Sequence, residues 1–189
     1  MADHERLHPQ TRSEWRAWLE AHHSTSPGVQ LVQWRRSTGR QELSYDELVE
    51  EALCFGWIDS KAATLDADRS TITMTPRRPG GTWARSNKER VERLIADGRM
   101  TEAGLRVVEA AKADGSWTVL DDVDALFVPD DLGRALAADD QARRHFDAFP
   151  PSAKKMILYW VKTAKRPETR QRRIAETVRL AHDNVRAQG

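Results

Sequence analysis

The chain has 189 residues, of which 39% are hydrophobic and 31% charged, and its 30 lysines and arginines nearly balance 29 acids. This composition predicts a globular protein and excludes a strong overall field that would attract nucleic acid or a membrane surface. No apolar run approaches the roughly 20 residues of a membrane helix, and the N-terminus lacks the apolar core of a signal peptide. A single cysteine excludes an internal disulfide, so we expect a cytoplasmic protein without membrane insertion.

Predicted helices and strands alternate in the N-terminal half. Thr11 with Glu14 and Ser44 with Glu47 have the spacing of capping boxes that open helices, and Gly56 suits the left-handed residue that ends the second helix. Three segments have the composition of strands, at 29–35, 57–60 and 70–75. We therefore expect a small, mostly antiparallel sheet of about three strands, packed by helices.

Helices dominate the remainder of the chain. Ser86 with Glu89 has the spacing of a third capping box, and Thr101 opens the next helix. The segment 121–131 carries five acids and no base, which indicates a connector. Four further helices are predicted, at 131–138, 141–149, 152–164 and from Pro167 onward.

The predicted fold class is α+β, with an α+β domain at 1–120 followed by an all-helical segment at 129–189. The helical segment is short for the large apolar residues it carries, among them Phe146, Ile157 and Trp160. We expect it to pack on the first domain, because so short a segment buries such residues poorly alone.

The strongest candidate site lies between the last predicted strand and the following helix, where Arg77 and Arg78 precede a Gly-Gly pair and Trp83. A guanidinium binds a carboxylate or phosphate through two hydrogen bonds, and glycines let backbone N–H groups approach an anion. Asn87 lies in the first turn of the next helix, whose N-terminal end also favours an anion. The pattern predicts a pocket for a small organic anion. The alternative is a turn whose arginines pair with nearby aspartates, Asp59, Asp66 or Asp68.

A second candidate group follows Gly56. Trp57 and Asp59 share one face of an extended strand, and Lys61 joins them if the extension continues. Pairing in a hairpin would bring Trp57 close to Thr75, so all four residues are candidates to bind the ligand. A carboxylate beside a base is usually ionised and a poor general base, which favours structural pairing over acid–base catalysis. Whether the protein is an enzyme stays open at this point.

The sequence predicts neither a metal site nor a cofactor. His22 and His23 are adjacent on a helix and point in different directions, and no cysteine or HExxH partner accompanies them. Asp66 and Asp68 lack the glycine and glutamate of a calcium loop, and no phosphate or dinucleotide motif occurs. Cys54 is expected to be a small buried hydrophobic residue.

Residues 154–186 contain ten basic residues against three acids, a density that suits nucleic-acid phosphates. Aromatic residues are few there, however, and the acids at 121–131 are able to neutralise the tract. We therefore favour a solvated helix face or an intramolecular match to the acids. An adaptor that binds nucleic acid or protein through this helix is disfavoured and left open.

Four blocks of sequence carry a family resemblance: ALCFGWIDS at 52–60, TMTPRRPGGTWARSN at 73–87, GRMTEAGL at 98–105 and WVKTAKRPETRQRRI at 160–174. Together they resemble the YdeI/OmpD-associated family, also described as bacteriocin-protection proteins. The resemblance implies a cytoplasmic bacterial protein of the stress-protection type, with a helical OmdA-type segment at its C-terminus. Ala84 stands where the family pattern has serine, and Gly81 where it has serine or lysine.

Overall fold

The computed structural model describes residues 4–40 and 43–187. The chain divides into two compact units, Met1–Thr118 and Val119–Gly189. A sheet and helices form the first unit, and the described part of the second is helical, which confirms the predicted α+β class with a helical C-terminal part. The prediction that the C-terminal helices pack on the first domain stays a prediction.

The sheet has four strands rather than about three, in the order β1-β2-β4-β3. The strands are β1 Glu5–Leu7, β2 Val29–Trp34, β3 Trp57–Thr64 and β4 Arg69–Pro76. β1 runs parallel to β2, while the other neighbours are antiparallel. β1 has only three residues, too few to display the alternation by which a strand is recognised in a sequence.

The β3–β4 hairpin leads directly into the candidate site. Trp57 pairs with Pro76 and Asp59 with Met74, after which the register shifts before Ala62 pairs with Ile72. Two residues of β3 are therefore opposite one residue of β4, which is a β-bulge. The bulge interrupts the simple alternation of side chains that the sequence interpretation assumed beyond Asp59.

Within the described residues of the first unit, four α-helices and a short 3-10 helix, Arg36–Thr38, accompany the sheet. The α-helices are α1 Arg12–His22, α2 Tyr45–Cys54, α3 Arg85–Ala96 and α4 Glu102–Ala113. The predicted capping box at Ser44 is present, and Thr11 accepts a hydrogen bond from the Glu14 N–H at 3.2 Å. The third predicted box is wrong, because Ala84 is the N-cap of α3 and Ser86 lies within its first turn. Alanine has no side-chain acceptor, so this helix begins without a side-chain cap.

The core of the first unit lies between one face of the sheet and the helices. Its largest fully buried side chains include Trp15, Leu31, Leu48, Trp57 and Met74. Burial of each large apolar side chain contributes about 1.5–3 kcal/mol. The Trp57 indole N–H donates to the His23 carbonyl at 3.1 Å, which satisfies its polar atom inside the core.

Close approach of α4 to the end of α2 depends on one glycine. A β-carbon at Gly104 would lie 2.3 Å from the carbonyl oxygen of Cys54, so no larger residue fits there without displacing the backbone. Thr101 strengthens the same contact, since its hydroxyl donates to the Cys54 carbonyl at 2.6 Å. Gly56 follows with φ of +76°, the left-handed conformation expected after α2.

The second unit has its own apolar core, built from residues such as Leu132, Leu136, Phe146 and Ile157. Its helices are α5 Asp121–Asp124, α6 Asp130–Ala137, α7 Asp140–Ala148, α8 Pro151–Lys162 and α9 Pro167–His182. The four helices predicted in this region are confirmed. No helix in the described residues combines the length and the apolarity required to cross a membrane.

The acidic segment 121–131 is more than the predicted connector. It contains α5, whose Val123 is buried in the core of the second unit. Its carboxylates bind the basic tract through ion pairs that include Asp122–Lys162 at 2.6 Å, Asp124–Lys155 at 2.8 Å and Asp131–Arg170 at 2.7 Å. The intramolecular match that the sequence suggested is therefore present.

Candidate functional site

The segment after β4 encloses a cavity of about 80 Å³ against the C-terminal half of α4. The segment contributes Arg77, Arg78, Pro79, Gly80, Gly81 and Trp83, and the opposite wall is formed by Val107, Ala110, Ala111, Asp114 and Ser116. Backbone pairing fixes where this segment begins, because the Arg77 N–H donates to the Gly56 carbonyl at 3.0 Å. Arg77, Arg78 and Trp83 are thus brought together, as the sequence predicts.

Arg77 is the central group of the cavity. The central carbon of its guanidinium lies 3.5 Å from the centroid of the Trp83 ring, a close cation–π contact. One N–H of Nη1 donates to the Thr82 carbonyl at 3.3 Å, but the buried Nε has no hydrogen-bond partner. Trp83 is only 2% exposed and packs against Trp117 with ring centroids 4.8 Å apart. The guanidinium is therefore held against the buried Trp83 ring, while its Nε–H still lacks a hydrogen-bond acceptor.

The charge of Arg77 is poorly compensated. Burial lowers the pKa of its guanidinium to about 10, and the nearby charge of Asp59 opposes this shift only in part. The side chain stays cationic at neutral pH, yet no carboxylate forms an ion pair with it in the described part of the chain. Asp66 pairs instead with Arg69 at 2.7 Å, and Asp59 accepts a hydrogen bond from Tyr45 at 2.9 Å.

The sequence suggested that the backbone N–H groups of Gly80 and Gly81 are free to bind an anion, but both already donate hydrogen bonds within the protein. The Gly80 N–H donates to Asp114 Oδ2 at 3.2 Å, and the Gly81 N–H donates to the Arg78 carbonyl at 3.1 Å. Asp114 was missed by the sequence interpretation because it lies 34 residues from Gly80. Any anion in this cavity must rely on the guanidinium of Arg77 and on the exposed side chain of Arg78.

Asn87 and Thr75 are engaged outside the cavity lining. Asn87 Oδ1 accepts a hydrogen bond from Arg90 at 3.0 Å, and Arg90 also pairs with Asp46 of α2. These contacts hold α3 against α2. Thr75 pairs with Ile58 across the hairpin, and its methyl group lies beside Gly28, away from the residues that line the cavity.

The sequence suggested that one face of β3 presents an acid, a base and an aromatic ring together. The structure does not bring Trp57, Asp59 and Lys61 together in this way. Trp57 is 1% exposed and belongs to the core, while Lys61 is exposed at the β-bulge. Asp59 binds the Tyr45 hydroxyl; burial of that phenol and this hydrogen bond together raise the pKa of Tyr45 to about 12. Asp59 thus joins β3 to α2.

A buried carboxylate that the sequence interpretation missed lies on α2. Glu51 is 1% exposed and binds Arg12 at 2.6 Å, Arg16 at 2.9 Å and also Arg99. Burial raises the pKa of Glu51, but the hydrogen bonds from Arg12 and Arg16 outweigh it and lower that pKa below its ordinary value. Its position three residues after Leu48, on the apolar face of α2, is a signal that the sequence did contain.

Cys54 and the acidic residues show no arrangement suited to nucleophilic or metal chemistry. Cys54 is fully buried, which raises the pKa of its thiol and confirms the prediction of a small hydrophobic residue. Within 4–40 and 43–187, no group of three or more histidine, cysteine, aspartate or glutamate side chains is placed to hold a metal ion.

Comparison with protein families gives two matches. Residues 7–107 match the domain of unknown function DUF8412, and residues 125–184 match the family described as bacteriocin-protection, YdeI or OmpD-associated (OmdA). The chain belongs to the DUF8412 family and carries an OmdA segment. No curated protein and no solved structure matches the chain.

The four sequence blocks that carry the family resemblance are distributed between the two matched regions. Three of these blocks, including the one that contains Arg77 and Trp83, lie within the DUF8412 match. The fourth block, at 160–174, lies within the OmdA match and covers the end of α8 and the start of α9. The bacteriocin-protection description therefore belongs to the helical unit, while the cavity belongs to a domain whose family description names no activity.

Proposed function

We propose that this DUF8412–OmdA protein is a cytoplasmic binding protein of the stress- or bacteriocin-protection type, which holds a small organic anion beside Trp83. The observation that carries the proposal is the state of Arg77. Its guanidinium stacks at 3.5 Å on Trp83 at the edge of a cavity, with a buried Nε that has no partner. A buried donor without a partner costs about 1–3 kcal/mol, and more for a charged group, so a bound anion would recover free energy that the unliganded protein loses.

The walls of the cavity favour an organic anion over a bare inorganic one. Trp83, Val107 and Ala111 offer apolar surface on either side of the guanidinium. A carboxylate attached to a hydrocarbon group satisfies both kinds of surface at once. Phosphate or sulfate would satisfy only the arginines.

The other two function classes have less support. Catalysis by Asp59 and Lys61 required both groups on one open face, but Asp59 is bonded to Tyr45 and Lys61 lies at the bulge. An adaptor function through the basic C-terminal tract is weakened, because three of its ten basic residues, Lys155, Lys162 and Arg170, are paired with acids of the same unit.

Thermal unfolding of the full chain with a series of carboxylates tests the proposal. We expect acetate, propionate, butyrate or benzoate to raise the melting temperature of the wild type, because a ligand that binds only the folded state stabilises it by about 2.7 kcal/mol at 100 times Kd. The combined change Arg77→Ala and Arg78→Ala should abolish this stabilisation.

Two further variants make the result specific. Arg77→Met keeps an unbranched side chain over Trp83 but removes the charge, so it should fold and yet show no stabilisation by carboxylate. Arg172→Ala removes an exposed arginine of α9 and should respond like the wild type. Absence of any shift in the wild type, or a full shift in a folded Arg77→Met protein, would refute the anion pocket.

A further inference from the structure

Asp114 introduces a negative charge into the cavity that Arg77 and Arg78 make positive. It follows the last residue of α4, where its Oδ1 accepts the Ser116 N–H at 2.8 Å and its Oδ2 accepts the Gly80 N–H at 3.2 Å. No lysine or arginine of the described residues forms an ion pair with it. Hydrogen bonds from Ser116, with a further one from Gly80, hold the pKa of Asp114 below its ordinary value, so the carboxylate is ionised at neutral pH.

The position of Asp114 is unfavourable for helix stability. The C-terminal end of a helix carries partial negative charge, which repels a carboxylate. The two backbone amides that bind Asp114 compensate for this, and one of them belongs to the segment that carries Arg77. As a result, an exposed carboxylate, with both oxygens held by backbone amides, belongs to the same cavity lining as Arg77.

The charged side chains that line the cavity therefore have a small positive net charge. Arg77 and Arg78 supply two positive charges, Asp114 supplies one negative charge, and the remaining lining is largely apolar. One ligand carboxylate neutralises this net charge. A second ligand charge would lie close to the Asp114 carboxylate, and like charges at short range repel each other even where one of them, like exposed Asp114, is partly screened by water.

We propose that Asp114 is a specificity-determining residue that restricts the site to monoanions, and that the ligand is a short monocarboxylate with an apolar tail. This inference rests on the anion pocket proposed above and names its ligand class. The carboxylate pairs with Arg77, and the tail lies along Val107 and Ala110 of α4. The Asp114 carboxylate rejects dicarboxylates and doubly charged phosphates.

Butyrate and succinate form a matched pair of four-carbon probes for this selection, because they differ chiefly in the second carboxylate. We expect calorimetric titration of the full-length wild type at pH 8 to give butyrate an affinity at least about tenfold higher than that of succinate. Asp114→Asn keeps an acceptor for the Gly80 and Ser116 amides but removes the charge. In this variant succinate should gain about tenfold in affinity relative to butyrate, so the ratio approaches one.

Glu102→Gln provides the matched control. It makes the same change of charge at the opposite end of α4, at an exposed residue that does not line the cavity, and should leave the ratio of the two affinities unchanged. Asp114→Ser is a second variant in case the asparagine protein is unstable, since serine also offers an oxygen acceptor and no charge.

The results of these experiments distinguish a failure of the monoanion selection from a failure of the anion pocket. Equal binding of succinate and butyrate by the wild type, or a ratio that Asp114→Asn does not change, overturns the selection. If Arg77→Met still abolishes binding in that case, the pocket stands without the selectivity. If neither probe binds the wild type or Asp114→Asn, the ligand class is refuted, and absence of stabilisation by the whole carboxylate series refutes the pocket as well.

Discussion

Glu51 and Arg77 are two buried charged groups with opposite surroundings. The Glu51 carboxylate is enclosed by Arg12, Arg16 and Arg99, so both of its oxygens are paired. Arg77 has an aromatic wall, one carbonyl acceptor and a buried Nε without a partner. A fully paired charge stabilises the contacts around it, whereas an incompletely paired one is a feature that ligand sites share. The contrast is the reason why we propose a binding role for Arg77 and a structural role for Glu51.

Replacement of Glu51 tests its structural role. Glu51→Gln keeps the shape of the side chain but leaves three guanidinium groups without their shared carboxylate, and we expect unfolding in urea at pH 7 to show a loss of about 3 kcal/mol. The pKa of Glu51 is lowered by folding, so its stabilising contribution is present above the ordinary value of 4.5 and is lost as the pH falls through the folded value. The difference between wild type and variant should therefore shrink as the pH falls below 4.5 toward the folded pKa of Glu51.

A nearby exposed pair serves as the control for that experiment. Glu20 is 58% exposed and binds Arg16 at 3.2 Å, so Glu20→Gln should stay within about 0.5 kcal/mol of the wild type. A Glu51→Gln protein as stable as Glu20→Gln at pH 7 would show that the cluster contributes little.

Among the helices, α9 illustrates how a basic tract is used within its own unit. Arg170 holds Asp131 of α6 through two hydrogen bonds of 2.7 and 2.9 Å, and donates to the Val161 carbonyl of α8 at 3.2 Å. Arg173 lies over the Trp160 ring and donates to its carbonyl. Of Arg170, Arg172 and Arg173, Arg172 is the exposed one, and it matches the solvated face that was considered from the sequence.

Single substitutions on α9 should show the difference between an arginine that binds other helices and one that is exposed to solvent. We expect Arg170→Gln to lower the free energy of unfolding by about 1–2 kcal/mol, because it breaks charge-assisted hydrogen bonds to two other helices. Arg172→Gln should change it by less than about 0.5 kcal/mol. Urea unfolding of the full chain measures both, and equal effects would contradict the structural role of Arg170.

At the scale of the whole molecule, each unit has a separate apolar core. The second unit includes α5, which brings Val123 into its core and Asp122 and Asp124 to lysines of α8. A segment that begins at residue 129 lacks all of these contacts. The boundary at 119 is therefore the one that leaves the helical core intact.

Two fragments test this boundary. We expect 119–189 to unfold with a sharp thermal transition and 129–189 to lack one, because the shorter fragment exposes the core surface that Val123 covers. Circular dichroism during heating measures both. If neither fragment unfolds sharply, the helical unit depends on the first unit for its stability; if both do, α5 is dispensable.

Features that depend on neighbouring residues could be predicted from the amino-acid sequence. Caps at Thr11 and Ser44, the hairpin strands and the four C-terminal helices follow from local propensity and from the period of the apolar residues. Arg77 and Trp83 were predicted to share a site because only six positions separate them and a glycine-containing segment joins them.

Which charges are paired and which remain available depends on contacts between segments that are far apart in the chain. Asp114 meets Gly80, Glu51 meets Arg99 and Asp131 meets Arg170 across 34, 48 and 39 residues, distances at which no local pattern operates. Trp57 likewise becomes a core residue because α1 and β3 meet over it, which a strand pattern does not reveal. The physical reason is that local propensities fix the backbone of short segments, whereas the partner of a side chain depends on how distant segments pack.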